Sequence, residues 1–179
     1  AWQWLKKLIP VLCEKEEYEQ IAFVEQFRVH ALAYFQIYPF GELRVETLKG
    51  GHVVRGGRER AMHYLMHLPD GRRLLYALDT EWFPDETWDF LHQKHINILI
   101  LDSTFGARTD RPTYPEGHHD IASFVKVLER MTAIGAIDTT TRIFATHINP
   151  HQGALHEEMQ ARFDETSFPV TVAYDGCTI

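Results

Sequence analysis

The sequence has few cysteines, no long apolar run and no excess of positive charge, and each absence excludes a class of protein. Two cysteines among 179 residues are too few for a disulfide scaffold, so we expect a protein of the reducing cytoplasm. No apolar stretch approaches the roughly 18–20 residues that a membrane span needs, which excludes a transmembrane helix. The formal net charge of −7 argues against a broad nucleic-acid interface, because such an interface requires a basic face.

The composition is that of a folded domain, with 45% hydrophobic and 12% aromatic residues. No repeat, low-complexity tract or flexible linker divides the chain, so we expect a single domain over residues 1–179. The chain begins with neither Met nor a signal peptide, and we therefore expect it to start partway through a larger protein. The first forty residues are rich in aromatics, and their pattern does not distinguish a helix from a strand.

From Gly41 onward the pattern predicts alternating strands and helices. Strands are predicted at Glu42–Leu48, Ala61–Leu68, Arg73–Leu78, Ile96–Leu101, Arg142–Thr146 and Pro169–Tyr174. Helices are predicted from Asp85 to about Lys94, through Ile121 to Met131 with a stop at Gly135, and over roughly Gln152–Phe163. Because Pro69-Asp70-Gly71 is typical of a hairpin turn, the sheet is expected to be mixed rather than purely parallel. The predicted fold class is a layered α/β domain with helices flanking the sheet.

Polar side chains follow five of the predicted strands, namely His52, Asp79, Asp102, His147 and Asp175. Ligands of layered α/β proteins bind beyond the carboxyl ends of strands, so this placement favours a site. Each residue also has a purely structural interpretation: Asp79 as a turn cap, His147 as a hydrogen-bonded loop histidine, and Asp102 as a loop anchor. His118, just before a predicted helix, either flanks that helix or lies where a helix N-terminus attracts phosphate.

Taken in order, several segments resemble the second half of the metallo-β-lactamase fold, and most closely its phosphodiesterase branch. That branch includes the phosphoribosyl cyclic phosphodiesterase of phosphonate breakdown and the tRNA-processing endonucleases. The matching segments are LKGGH, LLYALDTEWFP, INILILDSTFG, EGHHDIASFVKVL, RIFATHINPH and VTVAYDGCTI. Together they span nearly the whole chain, and their order and spacing make the set fairly specific. The resemblance implies an αββα sandwich, of which this chain would supply mainly the second half.

The resemblance also implies a dinuclear metal site between the layers of the sandwich. It makes His52 a ligand of one ion, His147 a ligand of the other, and Asp79 the carboxylate that bridges both. Imidazole and carboxylate suit Zn, Mn or Fe, and we expect two divalent ions, Zn or Mn. Such a pair would acidify a bridging water and stabilise the charge of an in-line phosphoryl transition state.

Three further residues receive roles from the resemblance. His118 corresponds to the family's mobile histidine, which contacts the scissile phosphate and protonates the leaving oxygen. His151 is expected to help hold the phosphate. Asp102 is expected to orient a ligating histidine from behind rather than to bind metal itself.

One diagnostic motif of the family, HxHxDH, does not occur in this sequence. In the family it lies upstream and supplies the remaining ligands of both metals. The residues present give each metal one histidine and a shared aspartate, fewer than the three protein ligands that a catalytic zinc site usually has. We therefore expect the C-terminal portion of a longer hydrolase, and we expect these 179 residues alone to be poorly stable and nearly inactive.

The function expected from the resemblance is hydrolysis of a small or cyclic phosphodiester through a metal-activated water. Two alternatives stay open: a tRNA-processing nuclease of the same superfamily, and a non-catalytic half-domain kept for binding a partner. The acidic balance favours a small-molecule substrate over nucleic acid. No membrane partner is expected. The sequence does not determine the oligomeric state, and a homodimer is among the alternatives.

Overall fold

The computed structural model describes residues 11–14, 29–54, 59–111, 117–149, 151 and 154–179 of the chain. Nine strands lie in these residues: β1 Val11–Glu14, β2 Val29–Leu32, β3 Ile37–Phe40, β4 Leu43–Val54, β5 Glu59–His67, β6 Arg73–Ala77, β7 Ile98–Asp102, β8 Arg142–Thr146 and β9 Val170–Val172. The helices are α1 Asp85–Leu91, α2 Ile121–Ala133 and α3 His156–Asp164. None of these three has the length and apolar character needed to cross a membrane.

Seven strands form one mixed sheet in the order β3-β4-β5-β6-β7-β8-β9. The strands from β3 to β6 pair antiparallel, and those from β6 to β9 pair parallel. Parallel neighbours require a crossover, and α1, α2 and α3 fill the three crossovers of this half. The predicted α/β class and mixed sheet are confirmed. β1 and β2 pair with each other in parallel as a separate two-stranded sheet, while much of the first forty residues lies outside the described ranges.

The main core lies on the face of the sheet that the helices cover. Inward-facing residues of neighbouring strands, such as Leu75 and Leu99, are fully buried there against Phe124 of α2 and Phe163 of α3. The opposite face carries a smaller apolar cluster built on Ile98, Ile100 and Phe144. Because successive side chains of a strand point to opposite faces, β7 contributes to both clusters, which explains its uninterrupted apolar sequence.

Local sequence determines where the helices begin and end. α1 begins directly after Pro84, as predicted, and carries two acidic residues in its first turn. Asp120 caps α2 by accepting the Ser123 backbone N–H at 2.8 Å, while the Ser123 side chain contacts the Asp120 backbone N–H in a capping box. Gly135 adopts a φ of 68° just past the end of α2, which confirms the predicted stop.

Several predicted boundaries differ from the structure, and β9 is the shortest of these strands, covering Val170–Val172 instead of Pro169–Tyr174. The predicted strand Glu42–Leu48 is longer, because pairing with β5 continues past an irregularity to Val53 and Val54. β7 begins at Ile98 rather than Ile96, since the Ile96 backbone N–H bonds to Ala136 in a loop instead of to a neighbouring strand. α1 ends at Leu91, three residues before the predicted Lys94.

α3 also differs from its predicted range. It begins at His156 instead of near Gln152, and Gln152 itself lies outside the described residues.

Candidate metal centre

The carboxyl ends of three neighbouring parallel strands bring polar side chains to one edge of the sheet. Asp79 lies two residues after β6, Asp102 is the last residue of β7, and His147 follows β8 directly. The loop before α2 adds His118 from the same side. These four residues each offer one ligand atom, and the four atoms lie within 4.8 Å of one another. Strand order therefore assembles a compact group from segments that are far apart in sequence.

Asp79 lies between the two histidines of this group. Its Oδ1 is 3.6 Å from Nδ1 of His118 and 3.6 Å from Nε2 of His147. Two donors bound to one zinc ion at about 2.0–2.2 Å in tetrahedral geometry lie roughly 3.4 Å apart. The spacing between Asp79 and His147 is thus close to that of two ligands of one divalent ion.

The chemistry of the donors also fits a divalent cation. Two carboxylates and two imidazoles suit Zn, Mn or Fe better than a soft metal that prefers thiolates. Asp79 and His147 are half-exposed, with 47% and 39% of their side-chain surface accessible, so an ion and a small ligand can reach them from solvent. The group could therefore hold metal.

Asp102 is a fully buried carboxylate at the base of the group. It accepts hydrogen bonds from Oγ1 of Thr80 at 2.5 Å and from Nδ1 of His118 at 2.7 Å. Burial by itself raises the pKa of Asp102, but the hydrogen bonds from His118 and Thr80 and nearby imidazole charge outweigh it and keep the pKa below its usual value. The hydrogen bond to Asp102 in turn raises the pKa of His118.

Thr104 connects the two histidines of the group. Its Oγ1 lies 2.7 Å from Nδ1 of His147 and 3.1 Å from Nδ1 of His118. The same hydroxyl is 3.3 Å from Oδ2 of Asp102. Because Nδ1 of His147 contacts Thr104, its Nε2 is the nitrogen that faces Asp79.

Three of the six left-handed non-glycine residues in the described part of the chain lie at this edge of the sheet. Asp79, Glu81 and His147 all adopt left-handed backbone conformations, with φ values of 52°, 53° and 59°. Residues other than glycine adopt this conformation at a cost, and it persists where surrounding contacts over-determine it. Two of the three belong to the candidate metal group.

The remaining predicted site residues lie outside the group of four. His52, near the end of β4, lies beside His118 with 4.9 Å between ring centroids and a 37° tilt between the rings, and its Nδ1 is 3.8 Å from Oε2 of Glu81. His151 is exposed, and its backbone N–H donates to Asn149 at 2.9 Å. Asp175, at the far end of the sheet after β9, is also exposed. The predicted roles of His52 and His151 stay predictions.

Sequence reasoning missed three polar residues that support the site: Thr80, Glu81 and Thr104. All three lie in segments that carry the resemblance, LLYALDTEWFP and INILILDSTFG. Their neighbours Asp79 and Asp102 already indicated the site. Threonine hydroxyls and a loop glutamate are too common on protein surfaces to be chosen without knowing what they contact.

Gly51 brings the end of β4 against the loop that follows Asp79. A Cβ at this position would lie 2.3 Å from the backbone oxygen of Trp82, so Gly51→Ala requires a shift of backbone. We expect this variant to displace His52 and to weaken Mn²⁺ binding about tenfold, measured by isothermal titration calorimetry. Gly71→Ala is the control for backbone strain away from the site: its φ of 86° disfavours alanine, but it lies in the β5–β6 turn, at the other end of β6 from Asp79, and equal affinities of the two variants would contradict the expectation.

Comparison with known proteins identifies the architecture. No protein-family model matches the sequence, and no curated protein matches it significantly. Among solved structures, the metallo-β-lactamase fold protein YhfI from Bacillus subtilis is similar with a TM-score of 0.66 at 16% identity, over 96% of this chain and 66% of that one. This chain has a metallo-β-lactamase-like fold.

Two further structures with this similarity are enzymes. An isothiocyanate hydrolase from Delia radicum gut bacteria has a TM-score of 0.69 at 17% identity, over 100% of this chain and 70% of that one. A diphosphatase from the PhnP family has a TM-score of 0.65 at 17% identity, over 94% of this chain and 56% of that one. The chain thus spans between about half and two thirds of the length of these metallo-β-lactamase-like proteins. At such identities the similarity shows the fold alone.

Proposed function

We propose that this protein is a metal-dependent hydrolase that cleaves the phosphodiester bond of a small or cyclic phosphodiester. The observation that carries the proposal is the group formed by Asp79, Asp102, His118 and His147 at the carboxyl edge of the sheet. In the proposed site, these four donors, whose ligand atoms lie within 4.8 Å of one another, provide both metal ligands and a hydrogen-bonded acid. The diphosphatase of similar fold supports the choice of phosphate chemistry.

Asp79 and His147 would hold a divalent ion, with His52 as a further proposed ligand and Asp79 as the bridge if two ions bind. A bound divalent ion supplies a Lewis acid for the phosphoryl oxygens and lowers the pKa of water. Asp79 sets the spacing of the site, since the same oxygen lies 3.6 Å from a nitrogen of each of two histidines. Thr104 restrains His147 through its 2.7 Å contact with Nδ1.

His118 is the proposed general acid. Asp102 accepts from its Nδ1 at 2.7 Å, and this contact fixes the ring while leaving Nε2 to face a leaving oxygen. Because the same hydrogen bond raises the pKa of His118, the imidazole keeps its proton more readily than a free histidine. Asp102 acts through His118 in this scheme and does not contact the substrate.

A small phosphodiester is favoured over nucleic acid by charge. A net charge of −7 provides no broad cationic surface for a phosphate backbone. The half-domain interaction module is disfavoured, because a surface kept only for binding gives no reason for a buried carboxylate to orient a histidine beside other metal donors.

Activity assays with a panel of four substrates test the proposal directly. The protein is loaded with Mn²⁺ or Zn²⁺ and assayed with bis(p-nitrophenyl) phosphate, a small cyclic nucleotide, p-nitrophenyl acetate and tRNA. We expect slow, metal-dependent hydrolysis of the phosphodiesters by these 179 residues, above the chelator-treated control. Cleavage of tRNA alone, with a steep loss of binding as salt increases, would instead identify the nuclease, and the absence of metal binding would identify the interaction module.

The role of His118 predicts a separation of metal binding from turnover. His118→Ala should retain bound metal while lowering turnover by roughly 10²- to 10⁴-fold on a phosphodiester with a poor leaving group. The loss should be smaller with p-nitrophenolate, which leaves without protonation. His92→Ala, an exposed histidine after α1, is the matched control. Loss of metal from His118→Ala would show that His118 is a ligand rather than the acid.

A further inference from the structure

Glu81 connects two histidines that come from distant parts of the chain. It lies in the loop after β6, two residues past Asp79, with a quarter of its side-chain surface exposed. Its Oε2 accepts the backbone N–H of Gly117 at 3.0 Å and lies 3.8 Å from Nδ1 of His52. Gly117 directly precedes His118, so one carboxylate faces both the segment that carries His118 and the ring of His52.

His52 has an incomplete set of contacts without this carboxylate. Its Nδ1 is buried and has no hydrogen-bond partner among the described residues. Glu81 is the acid that faces this nitrogen, and shortening the 3.8 Å separation by about 0.6 Å or more would form the bond. A histidine that donates from Nδ1 to a carboxylate presents the lone pair of Nε2 outward, which is the usual arrangement of metal-ligating histidines.

The backbone around Glu81 leaves it little freedom. Glu81 has a left-handed φ of 53°. The preceding residue, Thr80, accepts the Gly51 backbone N–H through its carbonyl oxygen at 3.1 Å, which ties this loop to β4. His52 also packs against Gly117, since a Cβ on Gly117 would lie 3.5 Å from Cε1 of His52. The Glu81 carboxylate is therefore enclosed by the end of β4 on one side and by the loop before α2 on the other.

We propose that Glu81 is a positioning residue, which sets the distance and orientation between His52 and His118 by accepting from both the Gly117 N–H and the His52 ring. Its effect on metal binding and turnover rests on the hydrolase function proposed above. The geometry that it maintains is that of the adjacent His52 and His118 rings, whose centroids are 4.9 Å apart and whose planes are tilted by 37°. It touches neither metal nor substrate.

The test measures the metal-free protein first, so that it does not depend on hydrolysis. In Glu81→Ala, hydrogen exchange of the Gly117 amide should accelerate about fivefold. The ¹⁵N spectrum of the His52 ring should change from a single Nδ1–H tautomer to a mixture. Glu81→Gln keeps an oxygen acceptor and should restore most of the Gly117 protection. Unchanged Gly117 exchange and an unchanged His52 tautomer in Glu81→Ala would overturn the proposal, whatever the protein hydrolyses.

A second variant distinguishes a positioning role of Glu81 from a role in the stability of the fold. Glu81→Gly removes the carboxylate but relieves the left-handed backbone, so it should be at least as resistant to urea as Glu81→Ala. It should still bind Mn²⁺ about 10- to 100-fold more weakly than the original protein. Glu129→Gln, which removes an exposed charge on α2, is the control and should leave affinity unchanged. Full affinity in Glu81→Gly would overturn the positioning role, even if phosphodiester hydrolysis were established.

Discussion

Asp79→Asn should abolish tight binding of divalent metal. Asparagine has the size of aspartate and tolerates the left-handed φ of 52° at this position, so the variant removes charge without adding backbone strain. The Asp79 carboxylate lies between both histidines, with its Oδ1 3.6 Å from a ring nitrogen of each, and asparagine replaces it with a neutral amide that offers one oxygen instead of two. Loss of a supporting residue typically costs 10- to 100-fold in metal affinity, and loss of this ligand should cost at least about 100-fold.

Isothermal titration with Mn²⁺ and with Zn²⁺ measures this effect, and urea denaturation establishes that the variant still folds. Asp175→Asn is the matched control, because Asp175 also follows a strand of the sheet but is exposed and lies outside the metal group. We expect Asp175→Asn to bind metal like the original protein. If Asp79→Asn kept its affinity, or if both variants lost it equally, the metal centre would have to be sought elsewhere in the chain.

The largest expected effect on stability comes from His63, an imidazole buried behind the metal group. It lies beside Phe83 with 5.3 Å between ring centroids, and neither of its nitrogens has a hydrogen-bond partner in the described part of the chain. Burial lowers the pKa of His63 from 6.5 to about 4. The negative charge of Asp102 opposes this shift, and His119 adds to it. The folded protein therefore keeps this ring neutral where the unfolded chain protonates it.

The sign of the pH effect follows from this difference. Above pH 6.5 neither state binds the proton, so His63 imposes no penalty. As the pH falls from there toward 4, the unfolded state gains a proton that the folded state refuses, and the free energy of unfolding decreases. The complete loss is roughly 3 kcal/mol, of which roughly 2 kcal/mol should be lost by pH 5.

His63→Leu should remove this pH dependence. Leucine fills a similar volume and replaces two unpartnered polar atoms, so we also expect a gain of about 1–3 kcal/mol at pH 7. Urea denaturation of the metal-free protein at pH 7 and pH 5 gives the difference for each variant. Other groups titrate equally in both proteins and cancel in the comparison. His92→Leu, at an exposed histidine, should behave like the original protein, and parallel losses in the original protein and His63→Leu would contradict the role of burial.

The surroundings of His63 in the core and of Glu81 beside the site could not be predicted from the sequence. His63 lies on a strand that sequence predicted, but no periodicity distinguishes a buried histidine from an exposed one on an alternating strand. Glu81 is equally unremarkable in sequence, and its importance depends on Gly117, which is 36 residues away. Contacts over such distances arise from packing, which local patterns do not encode.

The sequence by itself determined the succession of strands and helices from Gly41 onward, the turn at Asp70, the start of α1 after Pro84 and the residues at the strand ends. These features depend on backbone preferences and side-chain periodicity within a few residues. Only the tertiary structure decided that β6, β7 and β8 are parallel neighbours, which brings Asp79, Asp102 and His147 together and leaves Asp175 apart. Strand order is decided by how the helices cover the sheet and bury its apolar face, a property of the whole chain and not of any segment.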